Sequence, residues 1–134
     1  MAKSRILVVD DDPMILELLV TRLELARYQV ATARDGHEAL KRVSDFHPHA
    51  MILDVNMPGL DGFGVLRHLK STGRIMTLPV MVLTARYLAS DVQEAVTLGA
   101  RDFLAKPFKD NQLFLRVERL LRSATRPLED IAFI

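Results

Sequence analysis

Residues 51–62 read Met-Ile-Leu-Asp-Val-Asn-Met-Pro-Gly-Leu-Asp-Gly, an apolar run that stops on an acid, Asp54, and gives way to turn residues. A short apolar run without alternation is buried on both faces, as in the strand of a parallel sheet. An acid at its carboxyl end lies on the sheet edge where open α/β sheets place their ligands. The pattern recurs on either side. Upstream, Ile6-Leu7-Val8-Val9 ends in Asp10-Asp11-Asp12. Downstream, Pro79-Val80-Met81-Val82-Leu83 ends at Thr84, and Arg101 to Leu104 ends near Lys106-Pro107. Tyr28 to Ala33 reads as the remaining strand.

Helices fill the intervals. Asp12 is placed as an N-cap and Pro13 at the first helical position. Ile15, Leu16, Leu18, Leu19 and Leu23 then recur at helical spacing. Asp35 to Phe46 carries Ala39, Leu40 and Val43 on one face, and Phe63 to Lys70 forms a short helix. Ala89 to Leu98 is stopped by Gly99 at C′. Asp110 to Ser123 sets Leu113, Phe114, Val117, Leu120 and Leu121 on one face. Strand and helix alternate five times, which argues for a parallel sheet covered on both faces and joined by right-handed crossovers.

Composition removes other classes. The 134 residues suit one domain, and 49% apolar with 26% charged residues excludes collagen, coiled coil and wholesale disorder. No apolar stretch reaches the length of a membrane span. Cysteine is absent, so disulfides, thiolate metal sites and cysteine nucleophiles are excluded. The start of the sequence lacks the pattern of a secretory signal, and a cytoplasmic location is expected. Eighteen basic against 17 acidic residues leave a net charge of +1, with no basic stripe, so direct nucleic-acid binding is not expected.

The strand ends carry the chemistry. They deliver Asp10 and Asp11, Asp54, Thr84 and Lys106 to one rim. Like charges about 4 Å apart repel by about 4 kcal/mol at an effective dielectric of about 20. Carboxylates so close call for a cation or a proton. Hard oxygen donors suit Mg²⁺. A lysine binds phosphate as a point charge, a hydroxyl donates to a phosphate oxygen, and a carboxylate can take a phosphoryl group as an acyl phosphate. The set suits phosphoryl transfer to a carboxylate, with Mg²⁺ and Lys106 offsetting the charge on the phosphoryl oxygens.

Four segments in order then resemble the receiver domain of two-component response regulators. Residues 5–12 resemble its first strand and acidic pair. Residues 51–62 resemble its phosphorylation segment, Val82-Leu83-Thr84-Ala85 its fourth strand, and residues 99–108, Gly-Ala-Arg-Asp-Phe-Leu-Ala-Lys-Pro-Phe, its Lys-Pro segment. The resemblance spans residues 4–123. It implies an α/β, flavodoxin-like, doubly wound sheet of five parallel strands in the order 2-1-3-4-5 with five helices. It implies that Asp54 accepts the phosphoryl group and that Asp10, Asp11, Asp54 and the backbone carbonyl of Asn56 hold Mg²⁺. Thr84 and Lys106 would bind the phosphoryl oxygens, Thr84 and Phe103 would act as the switch, and Pro107 would follow a cis peptide. Asp12 is an extra acid, read as a helix cap. The implied partners are a histidine kinase or histidine phosphotransfer protein upstream, and a second copy, an output domain or an output protein downstream. Residues 1–123 would form the receiver and 124–134 a tail or the start of a linker. The chain is expected to be no enzyme but a phosphoacceptor that catalyses its own Asp phosphorylation and dephosphorylation.

Blander readings stand beside these. Taken alone, Thr84 is a strand residue, Lys106 a surface lysine and Phe103 core. His47-Pro48-His49 reads as a surface loop before a strand, His37 and His68 as exposed helix residues, and Gly59, Gly62 and Gly64 as turn glycines. Leu115 lies off the apolar face of the last helix and is a candidate interface residue. Leu128, Ile131, Ala132 and Ile134 give the tail an apolar face. Two other functions compete. A phosphatase similar to the haloacid-dehalogenase group would use Asp10 as nucleophile within Asp10-Asp11-Asp12, and a degenerate receiver would only bind partners.

Overall fold

In the computed structural model, which describes residues 2–125, five strands run parallel: β1 (Arg5–Val9), β2 (Gln29–Ala33), β3 (Ala50–Asp54), β4 (Val80–Thr84) and β5 (Asp102–Ala105). Their order is β2-β1-β3-β4-β5. The helices between them are α1 (Pro13–Leu25), α2 (Gly36–Phe46), α3 (Gly62–Ser71), α4 (Ala89–Thr97) and α5 (Asp110–Arg122). Short 3-10 turns occupy Arg74–Met76 and Ser123–Thr125. The first of these has no counterpart in the sequence reading, because a single turn carries no periodicity. The apolar tail of residues 128–134 lies outside the described residues.

The sheet is covered on both faces, and alternation along each strand sorts the side chains. Leu7, Val9, Leu53, Val82 and Phe103 pack with Ala39, Val43, Val65, Leu66, Leu69 and Ala95, under α2, α3 and α4. Ile6, Val8, Ile52, Met81, Leu83 and Leu104 pack with Leu16, Leu19, Leu23, Leu113, Val117 and Leu120, under α1 and α5. Every residue of β3 is buried, which is why its sequence shows an unbroken apolar run. Full burial of one such Leu or Ile contributes about 1.5–3 kcal/mol. Leu18, grouped by spacing with the buried side of α1, is 37% exposed, so the apolar stripe of that helix overruns its contact with the sheet.

Caps fix where the helices begin beside the rim. Asp12 accepts from the Met14 N–H and has Pro13 after it, Asp35 accepts from the Glu38 N–H, and Asp61 accepts from the Gly64 N–H. The glycines that follow β3 divide by role. Gly59 is a turn glycine at φ +72°, whereas Gly62 and Gly64 are helical. A Cβ on Gly62 would stand 2.4 Å from the Asp54 carbonyl oxygen, and one on Gly64 would stand 2.4 Å from Leu60 Cδ1. Gly62 therefore lets α3 close against the end of β3, and Gly64 makes room for the Leu60 side chain, constraints of packing that turn composition does not reveal.

Candidate functional site

The carboxyl ends of β1, β3 and β4 and the segment after β5 meet at one edge of the sheet. Asp10 follows β1 and is 1% exposed; its N–H donates to the Ala33 carbonyl at 3.1 Å. Both of its carboxylate oxygens are engaged. Oδ1 accepts from the Asp12 N–H at 2.9 Å and Oδ2 accepts from Lys106 Nζ at 2.7 Å. Asp11, next in the chain, is exposed. Asp54 ends β3 and is 4% exposed. Its Oδ1 accepts from the Asn56 N–H at 3.1 Å, and Lys106 Nζ lies 4.0 Å from Oδ2. Oxygens of Asp10, Asp11 and Asp54 all lie within 4.8 Å of one another, the one such acidic group among the described residues.

Thr84 ends β4 fully buried and is tied to the loop that follows β3. Its Oγ1 accepts from Asn56 Nδ2 at 3.3 Å and from the Arg86 N–H at 3.1 Å, and it donates to the Arg86 carbonyl at 3.2 Å. The Lys106 N–H donates to the Thr84 carbonyl at 2.7 Å, which fastens the chain beyond β5 to the end of β4. The Lys106–Pro107 peptide is cis. Phe103 sits inside the sheet, opposite Val82, and meets Tyr87 edge to face with ring centroids 5.2 Å apart.

The electrostatics follow from this placement. Burial pushes the Asp54 carboxyl up to about 6, and the charges of Asp10 and Asp11 add to the rise; the Asn56 N–H and Lys106 oppose it. One ammonium beside three carboxylates leaves a net negative pocket of hard oxygen donors, and exposed Asp11 opens it to water. This donor set fits a divalent cation of the Mg²⁺ type. The first and third residues of the acidic triplet are engaged differently from what a phosphatase requires. Asp12 is spent capping α1, and both oxygens of Asp10 already accept hydrogen bonds, whereas Asp54 Oδ2 has only the distant Lys106.

Two buried charged residues at the opposite end of β5 from the site escaped the sequence reading. Asp102, 4% exposed at the start of β5, accepts from Arg116 Nη1 at 2.5 Å and Arg119 Nη2 at 3.3 Å. Arg101 is also buried, and its guanidinium donates to the carbonyls of Ser123 and Met76. The only available signal was the three-residue spacing of Arg116 and Arg119, which puts both on one helix face. Of the histidines, His47 closes α2 in the left-handed region at φ 52°, and His49 Nδ1 accepts from the Arg5 N–H at 2.8 Å. His37 and His68 are exposed.

Comparison with known proteins follows the same lines. The sequence model of the response regulator receiver domain matches residues 6–118. The chain is 47% identical over 128 residues to Response regulator MprA of Mycobacterium bovis, covering 96% of this chain and 54% of that protein. It spans about half the length of the curated relatives it matches. The structure superposes with a TM-score of 0.84 on the chemotaxis protein CheY4 of Vibrio cholerae, at 32% identity and with 89% of this chain and 99% of that one covered. It superposes with a TM-score of 0.82 on the signal receiver domain of a histidine kinase from Syntrophus aciditrophicus, at 39% identity and with 92% and 93% covered. These matches correct one expectation, that the chain is no enzyme. Receiver domains are phosphoacceptors with autophosphatase activity, so acceptor and catalyst are not alternatives. Among the described residues no helix is long and apolar enough to cross a membrane.

Proposed function

Because the chain belongs to the response regulator receiver domain family, we propose that it is a phosphorylation-controlled signalling switch whose acceptor is Asp54. The observation that carries this reading is the position of Asp54: buried at the end of the central strand, with one oxygen uncommitted, within 4.8 Å of the oxygens of two other acids and facing Lys106. Although burial pushes its carboxyl up to about 6, Asp54 is mostly ionised at pH 7 and serves as a nucleophile. A carboxylate oxygen of Asp54 bonds to phosphorus as the P–N bond to a donor histidine breaks. The electron pair stays on the imidazole nitrogen, which takes up a proton from solvent.

The remaining residues divide the work. Asp10, Asp11, Asp54 and the Asn56 carbonyl hold Mg²⁺, which when bound offsets negative charge on the phosphoryl oxygens. Lys106 gives one such oxygen an ammonium, and Thr84 turns its hydroxyl to another. The acceptor goes from one negative charge to about two, and Thr84 with Phe103 carries that change into β4, β5 and their helices. Upstream the donor is a histidine kinase or histidine phosphotransfer protein. Downstream the reader is an output domain, an output protein or a second copy. The family match over residues 6–118 and the end of α5 at Arg122 are consistent with a receiver unit of residues 1–123 followed by a tail or linker from 124.

Intact mass after exposure to Mg²⁺ and phosphoramidate tests the proposal. A single phosphoryl adduct on the wild type that is absent from Asp54→Ala is the expected result. An adduct kept by Asp54→Ala and lost on changing Asp10 overturns it in favour of the phosphatase reading, and no adduct at all leaves a binding module.

A further inference from the structure

We infer that Tyr87 is a positioning residue whose ring acts as a lid on Phe103, held shut by the Thr84 hydroxyl and released when that hydroxyl turns to a phosphoryl group. The inference rests on Asp54 being the acceptor. Its starting point is the proton count at Thr84. A hydroxyl has one proton and two lone pairs. Here the proton goes to the Arg86 carbonyl at 3.2 Å, and the oxygen accepts from Arg86 N–H and Asn56 Nδ2 at 3.1 and 3.3 Å. All of its capacity is committed. Thr84 can donate to a phosphoryl oxygen on Asp54 only by giving up the Arg86 carbonyl, the bond that closes the turn directly before Tyr87.

Little else holds that turn. Residues 85–90 are all exposed, and Leu88, the N-cap of α4, makes no side-chain cap hydrogen bond. The ion pair of Arg86 with Asp91 is 3.6 Å long, and the Arg86 side chain is 63% exposed, so it is weak. The firm attachments are the Thr84 hydroxyl at one end and, at the other, the edge-to-face contact of Tyr87, 53% exposed, with Phe103, 2% exposed. Thr84 and Phe103 also sit on one face of adjacent strands, diagonal in register, since Val82 pairs with Phe103 and Thr84 with Ala105. Loss of the Arg86 bond therefore loosens the residue that covers Phe103.

The lid favours the resting state, and removing it raises the fraction of molecules in which Thr84 is free to receive the phosphoryl group. An aromatic edge-to-face pair is strong enough to set that fraction by roughly 2- to 10-fold. The test follows phosphorylation by phosphoramidate with Mg²⁺ on the full chain, by intact mass, in the wild type, Tyr87→Ala and Tyr87→Phe. Asp54 bonds to phosphorus, the P–N bond breaks, and ammonia leaves. Tyr87→Ala is expected to react about 2- to 10-fold faster, and Tyr87→Phe, which keeps the ring, at close to the wild-type rate. In Tyr28→Phe, where Tyr87 is the sole tyrosine and tryptophan is absent, tyrosine emission should change as the adduct forms. An adduct that forms with no rate difference in Tyr87→Ala, or with unchanged Tyr87 emission, overturns the lid and leaves the acceptor standing. No wild-type adduct overturns both.

Discussion

Replacing Asp54 by Asn should stabilise the metal-free protein, although it removes the proposed acceptor. The carboxyl titrates at 3.8 in its ordinary state and at about 6 in the folded chain, because burial and the charges of Asp10 and Asp11 outweigh the Asn56 N–H and Lys106. Between those values the folded state binds the extra proton, so stability falls as pH rises through that window. Above pH 6 the whole cost is present. At about 1.4 kcal/mol per pH unit it reaches about 3 kcal/mol. Asparagine keeps an oxygen for the Asn56 N–H and carries no charge, while Lys106 retains Asp10. That figure is already net of the attraction between Asp54 and Lys106, so the expected gain is about 3 kcal/mol, a midpoint shift of about 1–3 M in urea. Urea unfolding in EDTA from pH 4 to pH 8 measures it. The gap should be small at pH 4, widen to pH 6–7 and then stay level. Saturating Mg²⁺ should narrow it, since binding at 100 times the dissociation constant adds about 2.7 kcal/mol to the wild type. A variant no more stable than wild type at pH 7.5 in EDTA, or a gap that does not depend on pH, refutes the account of the pocket.

Three further outcomes are expected. Lys106→Ala leaves Asp10 buried without its 2.7 Å partner and should lose about 3 kcal/mol in EDTA, part of it restored by Mg²⁺, with the phosphoryl adduct forming more slowly; equal stability in the two buffers would contradict the pairing. Gly62→Ala puts a methyl 2.4 Å from the Asp54 carbonyl and should cost about 1–3 kcal/mol, against about 1–2 kcal/mol for Gly59→Ala, where the strain is backbone conformation alone; of the two, only Gly62→Ala should also slow adduct formation, by moving Asp54. Asp102→Ala strands Arg116 and Arg119 and should cost about 1–3 kcal/mol in urea unfolding while leaving the adduct mass unchanged, because Asp102 sits at the far end of β5 from Lys106.

The parts of this protein legible in its sequence are those set by local period. Unbroken apolar runs such as Met51-Ile52-Leu53 record burial on both faces, and Asp12-Pro13 and Gly99 mark helix ends because caps are satisfied within a few residues. The acids, the threonine and the lysine at strand ends are legible because parallel strands all finish at one edge. What the tertiary structure decided is who meets whom there. Lys106 lies 96 residues from Asp10 and pairs with it more closely than with Asp54. Thr84 spends its hydroxyl on Arg86 and Asn56, Asp102 finds its partners on α5, and Tyr87 covers Phe103. A sequence can place a charge on a rim, but how far that charge is buried and which neighbour satisfies it depend on side chains brought together from distant segments. Those distances set the strength of each Coulomb interaction and hydrogen bond, and with them which acid is free to react.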